Sequence, residues 1–172
     1  WNFANIYKMY EGEQIYIDIN VIVTPLFFYI GKIFMFIFGN NYISYQIYNI
    51  ITTTILFTLI YHLLRRLKIQ KLTAMTYVIV SLVVLTSLYV GATNYNVLAF
   101  IFTLCGIINL LKKNNDTKMA IFQGIITFLV FISKQSIGTF YIIGLVIYII
   151  IFKKSIKEML ICGVTFLIGI NL

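Results

Sequence analysis

The chain has 172 residues, 61% of them hydrophobic and 10% charged, against roughly 45–50% and about 25% in a soluble domain. That balance excludes a soluble globular domain and defines an integral membrane protein. The net charge of +8 does not point to nucleic acid, because the Lys and Arg residues fall between hydrophobic runs, where they set topology, and form no contiguous basic face.

Trp1 to Tyr10 places Phe3, Ile6, Tyr7 and Tyr10 at spacings of three and four, with Asn2, Asn5 and Lys8 elsewhere. This predicts a short amphipathic helix lying in the membrane interface. The strip from Tyr10 to Pro25 holds Glu11, Glu13 and Asp18, three of the five acidic residues, and the one proline. Gly12 permits a turn, and Ile15 to Thr24, rich in β-branched residues and ending before proline, is expected to be extended.

Leu26 to Phe38 is apolar apart from Lys32 and stops at Gly39-Asn40-Asn41. A helix of that length covers roughly 20 Å, short of the ~30 Å hydrocarbon core. It therefore reads as a second juxtamembrane helix, interfacial or partly re-entrant.

Tyr42 to Leu64, Leu72 to Val90, Val97 to Leu111, Met119 to Ile132, Ile137 to Phe152 and a last segment from Met159 follow as apolar runs. The expected fold is all-α: a polytopic transmembrane helical bundle of five or six spans, with two juxtamembrane helices in the first extracytoplasmic loop. Residues 1–41 form that loop and residues 42–172 the bundle, together one domain. With Arg65 to Lys71 inside, strict alternation puts ten of the thirteen Lys and Arg residues on the cytoplasmic side, as the positive-inside rule prefers. The acidic strip, the turn Gly91 to Asn96 (GATNYN) and the loop Ser133 to Ser136 (SKQS) then share the outer face.

The chain opens without Met, basic n-region or apolar h-region, and closes inside the apolar run LICGVTFLIGINL. Both ends are expected to lie within a longer polypeptide. Cys105 and Cys162 lack CxxC or CxxH spacing and read as buried thiols. GxxxxGK[ST], HExxH, GxSxG and GxGxxG are all missing, which removes the common nucleotide-binding and hydrolase signatures.

Asp18 reads either as a solvated loop carboxylate or as a general base or metal ligand at the bilayer edge. Glu11 and Glu13 are weaker candidates, since EGE also suits a wet turn. Lys134 interrupts an otherwise apolar stretch, and its compact cation suits a lipid-linked phosphate unless it is a plain loop lysine. Asn94, Tyr95 and Asn96 can hydrogen-bond or stack on a sugar, though turns also favour Asn. His62, beside Arg65, reads as an interface residue.

Gly12, Tyr16, Asp18, Pro25 and Phe38-Gly39 follow a pattern like G-x-x-x-Y-x-D, then a proline-led helix ending in F-G. Here the chain resembles the first extracytoplasmic loop of GT-C glycosyltransferases, in the branch of protein O-mannosyltransferases and the lipid A aminoarabinose transferase. FLVFISKQSIG resembles a further segment of that branch and places Lys134 and Gln135 on it.

The resemblance implies transfer of a sugar from a polyprenyl-phosphate donor to a glycan, lipid or protein acceptor on the outer face of a plasma membrane. It implies a lipid-phosphate role for Lys134 and Gln135, and a supporting catalytic, metal or sugar-binding role for Asp18. It also suggests substrate contacts from Glu11, Glu13, Tyr16, Asn94 and Tyr95, with a divalent metal as an optional cofactor. Relatives carry their principal acid, often in an Asp-Glu pair, at a position just before Trp1, and some have Lys where this chain has Thr24. The abundance of Ile, Asn, Lys, Tyr and Phe resembles an A/T-rich bacterial genome. The alternatives are a transporter or flippase of lipid-linked glycans and a structural membrane subunit. Against the transporter, the charges sit at the ends of spans.

Overall fold

The computed structural model describes residues 1–21, 24–88, 95–111, 117–152 and 156–171. Among them the chain is helical and forms no β-strand, in the order α1 (Asn2–Tyr10), α2 (Leu26–Phe38), α3 (Tyr42–Arg66), α4 (Lys71–Leu88), α5 (Tyr95–Leu110), α6 (Thr117–Ser133), α7 (Gln135–Ile151) and α8 (Ile156–Asn171). The helical bundle expected from the sequence is what the structure shows.

Helix ends follow the punctuation of the sequence. Pro25 caps α2, where its missing N–H costs nothing, and its carbonyl accepts from the Phe28 and Tyr29 amides. Asn41 caps α3, its side chain accepting the Ser44 amide at 3.0 Å. At the other end of α3 stand Arg65 and Arg66, whose charge suits the C-terminal dipole. The Arg65 guanidinium reaches on to the Ile69 carbonyl at 2.7 Å.

Among the described residues one helix, α3 with 25 residues, is long and apolar enough to cross a membrane by itself. The other apolar helices are shorter; α5, α6 and α7, at 16 to 17 residues, cover roughly 24–26 Å each. Much of the large apolar surface is exposed, including Ile50, Leu72, Ile79, Phe140 and Ile150, as suits helices solvated by lipid rather than water.

The chain divides into two compact units, Trp1–Leu98 and Ala99–Leu172. In the first, α1 packs on α2, α2 on α3 and α3 on α4. Ile6 of α1 lies directly over Gly31 of α2, leaving no room there for a Cβ. Phe27, Phe34 and Tyr48 pack as a ring cluster at centroid spacings of 4.9 to 5.4 Å, and Phe3 meets Tyr42 and Tyr45. These aromatic contacts fix the two juxtamembrane helices against α3.

In the second unit α6 packs on α7 and on α8. Gly138 of α7 sits so close to Phe131 of α6 that a Cβ would stand 2.5 Å from the Phe131 Cα, so the two helices form a tight antiparallel hairpin. Gly124 meets Cys162 and Thr165, and Phe128 meets Gly169, which makes α6 and α8 parallel. Asn109 at the end of α5 bonds to Met119 and Gln123 near the start of α6, while Tyr148 late in α7 donates to the Leu110 carbonyl at 3.1 Å. One end of this unit therefore gathers Leu110, Met119 and Tyr148; Lys134, at the far end of α6, lies roughly 24 Å of helix away.

Candidate functional site

The polar strip after α1 folds as a tight turn, which corrects the extended conformation expected for Ile15 to Thr24. Gln14 is its hub: its carbonyl accepts the amides of Ile17, Asp18 and Ile19 at 3.3, 2.9 and 3.2 Å. Its own amide donates to the Asp18 carboxylate at 2.8 Å. The Tyr16 amide donates to the Ile19 carbonyl at 3.0 Å, and Ile15 and Ile19 pair as an isolated bridge. The alternating isoleucines that suggested a strand instead anchor the turn, since Ile15, Ile19 and Val21 are buried.

Tyr16 holds a φ of 70°, a left-handed conformation that costs a non-glycine residue roughly 1–2 kcal/mol. Its ring is 56% exposed and Ile17 beside it 76% exposed. Burial, then the neighbouring Tyr29, holds the Tyr16 phenol above its ordinary pKa, so it stays neutral at physiological pH. Asp18 is exposed at the same tip.

Glu13 is paired with Lys8 at 3.5 Å, an exposed ion pair worth at most about 1 kcal/mol. Glu11 is exposed at the C-terminal cap of α1. Gly12 follows with φ 109°, the conformation that glycine allows at least cost.

Lys134 stands at a sharper break than the four-residue loop read from SKQS. Ser133 closes α6, Gln135 opens α7, and Lys134 alone lies between them with φ −161° and ψ 113°. Its amide completes α6 by donating to Val130 at 3.0 Å, and its carbonyl starts α7 by accepting from Gly138 at 2.9 Å. One extended residue thus reverses the chain, holding the half-buried Lys134 at the tip of the hairpin. Gln135 is exposed beside it, its carbonyl accepting the Thr139 hydroxyl at 2.9 Å.

Tyr95 and Asn96 are the first residues of α5 rather than part of a turn, and both are half-buried. Asn94 lies outside the described residues. The structure brings Glu11, Glu13, Tyr16 and Asp18 together on one loop, in the same unit as Tyr95. Lys134 and Gln135 meet at the α6–α7 break in the other unit. Among the described residues no three His, Cys, Asp or Glu side chains come together as a metal site. No step is assigned to a metal here.

One polar cluster is invisible in loop motifs. Asn109 donates through Nδ2 to the Met119 carbonyl at 3.3 Å and to Gln123 Oε1 at 3.1 Å. Gln123 in turn donates through Nε2 to the Tyr141 hydroxyl. Asn109 and Gln123 are buried, so three helices are joined by a directional chain of side-chain bonds. The signal for it was two lone amides inside apolar runs.

The fold and these positions define a polytopic helical membrane protein with polar turns carried on tightly packed helix pairs. A family model for dolichyl-phosphate-mannose-protein mannosyltransferases matches residues 23–172, and the chain belongs to that family, within the GT-C glycosyltransferases. No curated protein and no solved structure matches the chain.

Proposed function

We propose that this chain forms part of an enzyme that moves a sugar from a polyprenyl-phosphate donor to an acceptor on the extracytoplasmic face of a bacterial plasma membrane. The family match over residues 23–172 carries this reading, because it spans α2 and the Lys134 hairpin in one chain. The donor's hydrophobic tail calls for a site at the bilayer boundary, and both a juxtamembrane loop and the tip of a helical hairpin suit that depth.

In this reading Lys134 is the cation for the donor's phosphate. As the sugar leaves, negative charge grows on the phosphate oxygen, and an ammonium held at a one-residue break stabilises it without reorganising. Gln135 adds a polar side chain at the same tip. Tyr16, Glu11 and Glu13 contribute substrate contacts from the loop, with Tyr95 and Asn94 as further sugar contacts, and Asp18 gives that loop a carboxylate in a supporting role. The acceptor hydroxyl loses its proton to a carboxylate as it attacks.

The test is direct: the full-length protein, reconstituted in liposomes with polyprenyl-phosphate-mannose and a membrane acceptor extract, should release polyprenyl phosphate. Lys134→Ala should lower kcat/KM by about 100-fold and Lys134→Arg by less. A protein that leaves the donor intact, or a Lys134→Ala variant as active as its parent, would reject the assignment.

A further inference from the structure

We infer that Asp18 is a positioning residue, whose carboxylate clasps the Gln14–Ile19 turn so that the Tyr16 ring stands outward to meet the sugar of the donor. The inference rests on the glycosyltransferase reading and gives one loop residue a definite task within it.

The geometry carries it in three steps. First, an oxygen of the Asp18 carboxylate is already engaged: Oδ2 accepts the Gln14 amide at 2.8 Å, while the Asp18 amide donates back to the Gln14 carbonyl at 2.9 Å. This reciprocal pair closes the turn across four residues, the local side-chain-to-backbone bonding at which Asp excels. Second, what the clasp holds is unusual. A turn needed only to reverse the chain would place Gly or Asn in the left-handed position, yet Tyr16 occupies it at φ 70°. A bulky residue persists there when its surroundings hold it, and such outliers cluster at ligand clamps.

Third, the turn is built to present rather than to bury. Its base is fixed by buried Ile15, Ile19 and Val21, while Tyr16 and Ile17 at the tip are exposed. A tyrosine ring offers an apolar face that can cover the C–H groups of a pyranose and a hydroxyl that can hydrogen-bond its oxygens. Its raised pKa keeps that hydroxyl protonated in the neutral range.

The experiment separates the clasp from a carboxylate that acts on substrate. Asn at position 18 can still accept the Gln14 amide, Ala cannot, and Glu keeps the charge but overshoots the clasp by one methylene. In the reconstituted full-length enzyme, Asp18→Asn should stay within about threefold of the parent in kcat/KM for polyprenyl-phosphate-mannose. Asp18→Ala, Asp18→Glu and Tyr16→Ala should each raise KM about tenfold with little change in kcat. Asp18→Ala combined with Tyr16→Ala should be no worse than either alone, because the two changes remove one interaction.

Amide hydrogen exchange gives a readout independent of turnover: the Gln14 amide should exchange faster in Asp18→Ala and at the parent rate in Asp18→Asn. If Asp18→Asn is as damaging as Asp18→Ala, the carboxylate itself is needed and the inference falls. Losses that multiply in the double variant overturn it as well. Should Asp18→Ala fail to accumulate, the contrast between Asp18→Asn and Asp18→Glu decides. A parent inert toward this donor defeats the proposed function and the role of Tyr16, while Gln14 exchange still judges the clasp.

Discussion

Gly124 of α6 lies so close to α8 that a Cβ in its place would stand 2.7 Å from the Cys162 carbonyl oxygen and 2.6 Å from the Thr165 Cβ. Where lipid is as apolar as the side chains, helices associate through close backbone packing, and small residues permit it. Gly144 of α7 has nothing within 4 Å of its Cβ position, which makes a matched control.

Gly124→Ala should therefore destabilise the detergent-solubilised protein by about 1–3 kcal/mol, since a backbone carbonyl cannot swing aside. Gly144→Ala should be neutral or stabilising by up to about 1 kcal/mol, through helix propensity alone. Thermal unfolding of the two variants compares them. Equal melting temperatures would mean that α6 and α8 do not pack through this glycine.

The Asn109–Gln123–Tyr141 chain gives a second, asymmetric prediction. Gln123 is its middle member, so Gln123→Leu strands an Asn109 hydrogen and the Tyr141 hydroxyl together. The expected cost is about 1–2 kcal/mol, near the upper end for side-chain bonds between membrane helices. Asn109 Oδ1 is buried with no hydrogen-bond partner among the described residues. Asn109→Leu removes that liability along with two bonds, and should cost less than about 1 kcal/mol. Unfolding titrations of both variants settle the order, and a larger loss for Asn109→Leu would contradict it.

The cap of α3 offers a third. Asn41 accepts the Ser44 amide at 3.0 Å and the Ser44 hydroxyl at 3.2 Å, while that hydroxyl also reaches the Gly39 carbonyl. Asn41→Ala should cost about 1 kcal/mol, whereas Asn41→Asp should be nearly silent, because it keeps the accepting oxygen. A drop in melting temperature shared by both variants would show that the amide does more than cap.

Helices were legible where polar punctuation bounds an apolar run. Leu26 to Phe38, between Pro25 and Gly39, was read to the residue, and the start of α3 followed from the Asn pair. The loop was misread because Ile15, Ile17 and Ile19 alternate like a strand. Strand propensity describes residues that find a neighbouring strand, and here the Asp18 carboxylate and the left-handed Tyr16 close the chain on itself first. At Lys134 the polar letters of SKQS suggested a loop. Because Gly138 allows α7 to approach Phe131, a single extended residue suffices. The Asn109–Gln123–Tyr141 chain depends on contacts between residues 14 and 18 positions apart, which no local spacing reveals.

The last prediction concerns topology. Within the second unit, Lys118 in the first turn of α6 and Lys134 at its end mark opposite ends of one helix. The positive-inside count places the Lys118 end in the cytoplasm and Lys134 outside, where an extracytoplasmic donor phosphate would meet it. In a background with Cys105 and Cys162 replaced by alanine, a membrane-impermeant maleimide applied to intact cells should label Lys134→Cys and spare Lys118→Cys. Permeabilised cells should label both. Labelling of Lys118→Cys alone in intact cells would invert the bundle and put Lys134 on the wrong side for that donor. Labelling of both in intact cells would mean that α6 does not cross the membrane at all. Since α6 has only 17 residues, roughly 25 Å of helix against a ~30 Å core, this experiment also asks whether the bilayer thins around the hairpin or Lys134 snorkels to reach the surface.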